Sequence, residues 1–110
     1  MAEDVIEKID GKVKNNKVML YMKGTPDFPQ CGFSAQVVSA LRASEAGFHA
    51  VNIFEDPELR DALKKFSNWP TYPQLYVNGE LVGGCDIVLD LHRSGELKKL
   101  LADAGAASQA

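Results

Sequence analysis

The chain has 110 residues, of which 45% are hydrophobic and 25% charged, and a formal net charge of −3. That length makes one domain with room for its own core. The acidic balance and the lack of a basic run exclude a general nucleic-acid surface, and no apolar stretch approaches the roughly 20 residues that span a bilayer.

Val5, Ile6, Ile9 and Val13 share one helical face, which predicts a first helix from about residue 3 to 15, ended by Asn15-Asn16. Lys17 to Met22 is a near-continuous apolar run, suited to a central strand covered on both faces. Gly24 to Gln30 holds two prolines and a glycine and reads as a loop. From Gly32 a second helix carries Phe33, Val37, Val38 and Leu41 inward, with Gly47 as its expected cap. His49 to Phe54 reads as a second strand. Asp56-Pro57 is a helix start, an N-cap acid followed by proline, with Leu59, Leu63 and Phe66 as the buried stripe.

Asn78-Gly79 between Gln74-Leu75-Tyr76-Val77 and Glu80-Leu81-Val82 is a strong hairpin signal. Gly83-Gly84 breaks the last strand. Asp86 is the expected cap of a helix carrying Ile87, Val88 and Leu91, and Leu97, Leu100 and Leu101 are buried by a final turn or two after Gly95. The core spans about residues 3 to 103 of a single domain, 1–110, and the tail from about Gly105 is expected to fray. The order α-β-α-β-α-β-β-α predicts an α/β, thioredoxin-like fold: a four-stranded mixed sheet flanked by helices on both faces.

Cys31-Gly32-Phe33-Ser34 stands where the first strand hands over to a helix and reads as a C-x-x-C motif whose second cysteine is serine. Such a pair works by closing a disulfide. With Ser34 in place, Cys31 needs an outside thiol, a distant cysteine or a different chemistry. The helix start aims free N–H groups at the sulfur, and Lys23 adds positive charge; both favour the thiolate. The bland alternative, an inert helix-start cysteine, fits poorly with helix position, Gly32 and Ser34 occurring together.

Two cysteines far apart make no disulfide framework, which points to a reducing compartment. The acidic start, Met1-Ala2-Glu3-Asp4, resembles neither a secretory h-region nor a transit segment. The expectation is a bacterial-type cytoplasm, with a processed organellar form left open.

From spacing alone Pro73 is as well read trans as cis; a cis bond would turn the Tyr72 backbone outward to pair with an extended peptide. Gly83-Gly84 reads either as a carboxylate site at a helix start or as a simple strand-to-helix turn. Arg60 and Lys64 share a helix face, which suits solvent. His49 and His92 lack metal-ligand spacing and read as structural. Trp69 reads as a packing residue beside the site.

Four motifs, Lys23-Gly24-Thr25-Pro26, Cys31-Gly32-Phe33-Ser34, Trp69-Pro70-Thr71-Tyr72-Pro73-Gln74 and Gly83-Gly84-Cys85-Asp86, together resemble the monothiol CGFS-type glutaredoxins, in their short single-domain class. The resemblance implies a cis Pro73 and a glutathione site. Lys23 and Arg60 would meet the glycine carboxylate, Tyr72 beside Pro73 the cysteinyl part, and the Gly84, Cys85 and Asp86 helix start the γ-glutamyl end.

It further implies a carrier of a [2Fe–2S] cluster bridging a homodimer. Cys31 from each chain and the thiol of each of two glutathiones would be the ligands, and the apo chain would be a monomer. A BolA-type protein and apo iron–sulfur recipients are the implied partners, in cluster assembly, transfer and iron homeostasis. The loop Thr25 to Gln30 is where dimer geometry could be set. The competing function is a glutathione-dependent oxidoreductase that removes glutathione from proteins by a monothiol route, in which the family's CGFS members resemble poor catalysts. Cys85 stands open as packing residue, resolving thiol or ligand, with packing ranked first.

Overall fold

The computed structural model describes residues 2–68 and 71–105. The elements are α1 (Ala2–Asn15), β1 (Val18–Met22), α2 (Gly32–Ala43), β2 (His49–Asn52), a 3-10 turn (Ile53–Glu55), α3 (Pro57–Ser67), β3 (Gln74–Val77), β4 (Glu80–Gly83), α4 (Cys85–Ser94) and α5 (Glu96–Asp103). The strands form one mixed sheet in the order β2-β1-β3-β4. β1 runs parallel to β2, with Met22 beside Asn52, and antiparallel to β3, with Tyr21 opposite Gln74.

This is the predicted thioredoxin-like sheet, and its two-sided burial explains the run Val18–Met22. All five residues are buried. Val18, Leu20 and Met22 point to a core with Val37, Val38, Leu41, Val88 and Leu97 of α2, α4 and α5. Met19 and Tyr21 point the other way, to Ile9 and Val13 of α1 and Leu63 of α3. Strand alternation therefore sends apolar side chains into two cores at once. β3 repeats the division, with Leu75 and Val77 in the first core and Tyr76 in the second.

The local signals place most element ends. The Asp56 carboxylate accepts from the N–H groups of Glu58 and Leu59, at 3.0 and 3.2 Å, with Pro57 at the first helical position. Asn78 and Gly79 turn the β3–β4 hairpin with φ of 51° and 84°.

Four expectations fail for local reasons. α2 ends at Ala43 rather than near Gly47, because Glu45 takes the left-handed φ of 57° and the Ala46 N–H turns back to the Leu41 carbonyl. β2 stops at Asn52, whose side chain caps the 3-10 turn through the Phe54 N–H. Gly84, not Asp86, is the N-cap of α4; its carbonyl accepts from the Val88 N–H, so the helix starts at Cys85. Phe33 is 59% exposed, since Ser34 takes the inward position in that turn. His49 and His92, expected as structural, are exposed. Trp69 and the tail residues 106–110 lie outside the described residues. Among the described residues no helix is long and apolar enough to cross a membrane.

Candidate active site

Cys31 is the N-cap residue of α2, in extended conformation (φ −150°, ψ 134°), with no capping bond of its own. Its sulfur therefore stands where a capping oxygen would, facing the unpaired N–H groups of the first turn. The thiol is held below its ordinary range chiefly by the Ser34 backbone N–H. Partial burial opposes this, while the Phe33 N–H, the Lys23 charge and the Ser34 hydroxyl add to it. Ser34 is wholly buried, and its oxygen accepts the Lys23 backbone N–H at 3.1 Å. The hydroxyl proton is thus left for the sulfur.

Thr25 to Gln30 precedes this helix as a closed loop. Thr25 and Phe28 exchange backbone hydrogen bonds at 3.2 and 3.1 Å, and Gln30 N–H donates to the Lys23 carbonyl at 2.9 Å. Gly24 makes this closure possible: its φ is 91°, and a Cβ there would lie 2.6 Å from both Gln30 N and Phe28 O. An Arg42–Asp27 ion pair ties the loop to α2.

Beside Cys31 opens a cleft of about 580 Å³. Of the sequence-predicted site residues, Lys23, Arg60, Tyr72, Gly84, Cys85 and Asp86 all line it. The topology gathers them from the end of β1, from α3, from the approach to β3 and from the start of α4. Cys31 and the buried Pro73 are not in the lining itself. The Tyr72–Pro73 bond is cis, as the family resemblance implied. The Tyr72 side chain is buried and its hydroxyl donates to the Arg60 carbonyl at 2.6 Å, which fixes α3 against this wall. Burial pushes the Tyr72 phenol up to about 12, against the opposing Arg60 charge.

The wall also contains residues that the sequence reading did not assign: Phe33, Phe54, Lys64, Thr71 and Ile87. Lys64 had a signal, its position one turn from Arg60, but a solvated face carries the same signal. Phe33, Phe54 and Ile87 are 59%, 44% and 40% exposed. The cleft therefore offers three cations and one carboxylate among apolar side chains, which suits a small anionic ligand with an apolar portion.

Cys85 differs from Cys31. It opens α4 and packs against the first core, and its Sγ donates to the Gln36 side-chain oxygen at 3.3 Å. Burial pushes its thiol up, with the charges of Asp86 and Cys31 adding and Arg93 opposing. Both cysteines are free. Among the described residues no group of three or more His, Cys, Asp or Glu could hold a metal ion.

A glutaredoxin family model matches residues 18–82. The chain is 52% identical over 101 residues to glutaredoxin 4 of Escherichia coli strain K12, covering 92% of this chain and 88% of that one. It is 56% identical over 95 residues to a probable monothiol glutaredoxin 2 of Rickettsia felis, covering 86% and 91%. Among solved structures, that of reduced poplar apo GrxS14 superposes with a TM-score of 0.78 at 50% identity, over 90% of this chain and 91% of the other. With a lowered thiol at Cys31 and serine in the partner position, these matches show that the chain belongs to the glutaredoxin family, in its monothiol branch, and shares that family's glutathione-linked thiol chemistry.

Proposed function

We propose that this protein binds glutathione in the cleft and carries a [2Fe–2S] cluster as cargo between two subunits. The observation that carries the reading is the Cys31–Ser34 pair: one thiol held below its ordinary range, beside a cleft with three cations, with a buried hydroxyl where a competing thiol would sit. Lys23 and Arg60 offer charge to the glycine carboxylate, the Tyr72 backbone pairs with the cysteinyl unit, and the α4 start from Gly84 to Asp86 receives the γ-glutamyl end. The donor set of one chain fits a shared cluster and not a private one, since a four-thiolate cluster needs donors beyond Cys31. Cys31 from each subunit and two glutathione thiols complete that count. On this reading the apo chain is a monomer and the loaded form a homodimer. A BolA-type protein can replace one subunit, apo iron–sulfur proteins are recipients, and the work is done in the cytoplasm.

The lowered Cys31 thiol also favours a second reading, removal of glutathione from proteins. The Cys31 thiolate would attack the glutathione sulfur of a mixed disulfide and release the protein thiolate. Free glutathione would then attack the Cys31–glutathione disulfide, leaving oxidised glutathione and the Cys31 thiolate.

Anaerobic reconstitution with iron, sulfide and glutathione, followed by native mass spectrometry, separates the two. The carrier reading expects a dimer holding one [2Fe–2S] and two glutathiones. A persistent apo monomer that turns over a glutathione mixed disulfide rapidly would overturn it in favour of the enzyme.

A further inference from the structure

We infer that Asn52 is a positioning residue for the ligand of the cleft, because its single side-chain oxygen ties together two separate segments of the cleft wall. Asn52 is the last residue of β2, half-buried, and is not in the lining itself. Its Oδ1 accepts two backbone N–H groups, Gly24 at 3.0 Å and Phe54 at 3.0 Å. Gly24 follows Lys23, and both Lys23 and Phe54 line the cleft. A carbonyl oxygen with two lone pairs can accept both bonds at once.

The Lys23–Gly24 segment is held at three points. The Lys23 N–H is bonded to Ser34 and its carbonyl to Gln30; Asn52 supplies the third point, the Gly24 N–H, and the only one of these three that reaches β2. Gly24 is buried, so its N–H has no solvent to replace Asn52. Met22 and Asn52 are paired neighbours in the parallel ladder, which sets the Asn52 side chain level with the end of β1. The β2 end thereby fixes where the Lys23 ammonium is presented. Asn52 acts through Lys23 and touches no ligand.

This role rests on glutathione as the ligand, and the test keeps the two apart. Asn52→Ser leaves a hydroxyl that still caps the 3-10 turn through Phe54 but is too short to reach Gly24, so the turn stays formed. Binding of S-methylglutathione is measured by calorimetry on the full chain and on Asn52→Ser, Lys23→Gln and the double variant. The expected result is an affinity roughly three- to tenfold weaker in Asn52→Ser, the scale of one lost positioning hydrogen bond. That loss should largely vanish when Lys23→Gln is already present, as coupled residues require. Amide exchange in Asn52→Ser, which needs no ligand, should quicken at Gly24 and not at Phe54. An unchanged affinity, a loss that simply adds to that of Lys23→Gln, or unchanged Gly24 exchange overturns the role of Asn52 and leaves the glutathione reading intact. No binding of S-methylglutathione to the unaltered chain overturns both.

Discussion

The backbone N–H of Lys23 donates to the hydroxyl of Ser34 at 3.1 Å, joining the end of β1 to the first turn of α2. Through that bond the serine has a structural task besides the absence of a second thiol. It satisfies a main-chain donor at the strand end and leaves its own proton for Cys31. Removing the oxygen strands the Lys23 N–H in a half-buried position, where an unpaired donor costs about 1–3 kcal/mol. Ser34→Ala should therefore lower stability in urea unfolding by that amount and raise the pH at which Cys31 is alkylated. An unchanged midpoint in both measurements would contradict the role given to the bond.

The two cysteines should titrate in opposite directions from an ordinary thiol. Helix N–H groups lower Cys31, and burial raises Cys85. Stability contributed by Cys31 is present above the unfolded thiol pKa of about 8.5 and is lost as pH falls through its lower folded value. That of Cys85 is present below about 8.5 and is lost as pH rises through its higher folded value. Iodoacetamide labelling across pH, read by peptide mass spectrometry, should reach half its maximal rate at Cys31 first. The reverse order would refute the electrostatics of the helix start.

Gly24→Ala tests the loop that precedes Cys31. The added Cβ would meet Gln30 N and Phe28 O at 2.6 Å, both main-chain atoms, at a φ of 91°. Left-handed strain alone is about 1–3 kcal/mol for a residue with a side chain. The variant should lose at least that much in chemical unfolding and bind glutathione more weakly. Equal stability would mean that the loop closes in another way.

Tyr21 is wholly buried between Tyr76 and the second core, and its hydroxyl has no hydrogen-bond partner among the described residues. An unpaired buried hydroxyl is destabilising. Tyr21→Phe keeps the edge-to-face contact with Tyr76, at 5.9 Å between centroids, and removes that group. Stability should be equal or greater by up to about 1 kcal/mol in urea unfolding. A loss larger than that would reveal a partner for the hydroxyl.

Cluster loading should separate the two thiols. Cys31→Ser should abolish the visible spectrum after reconstitution with glutathione. Cys85→Ser should retain it, because Cys85 packs on the core and donates to Gln36. If Cys85→Ser lost the cluster with glutathione present, the two-glutathione ligand set would be wrong.

The chain order of elements, the central strand, the hairpin and the Cys31 helix start were legible in the sequence because each rests on near neighbours. Apolar runs, caps and turn residues act within a few positions. Element ends failed where an unforeseen local cap intervened. The left-handed Glu45 closes α2 ahead of Gly47, and Gly84 starts α4 ahead of Asp86.

By itself the sequence determined a lone thiol at a helix start and the residue types that could surround it. The family resemblance groups Lys23, Arg60, Tyr72 and Asp86 as one site, and only the tertiary structure decided that Phe54, Lys64 and Ile87 join them in one cleft. It alone showed Asn52 binding Gly24 and Phe54 from behind. The physical reason is distance along the chain. A thiolate's helix start is built from adjacent residues, whereas a cleft is built by strand order and by hydrogen bonds between segments with no local signal in common.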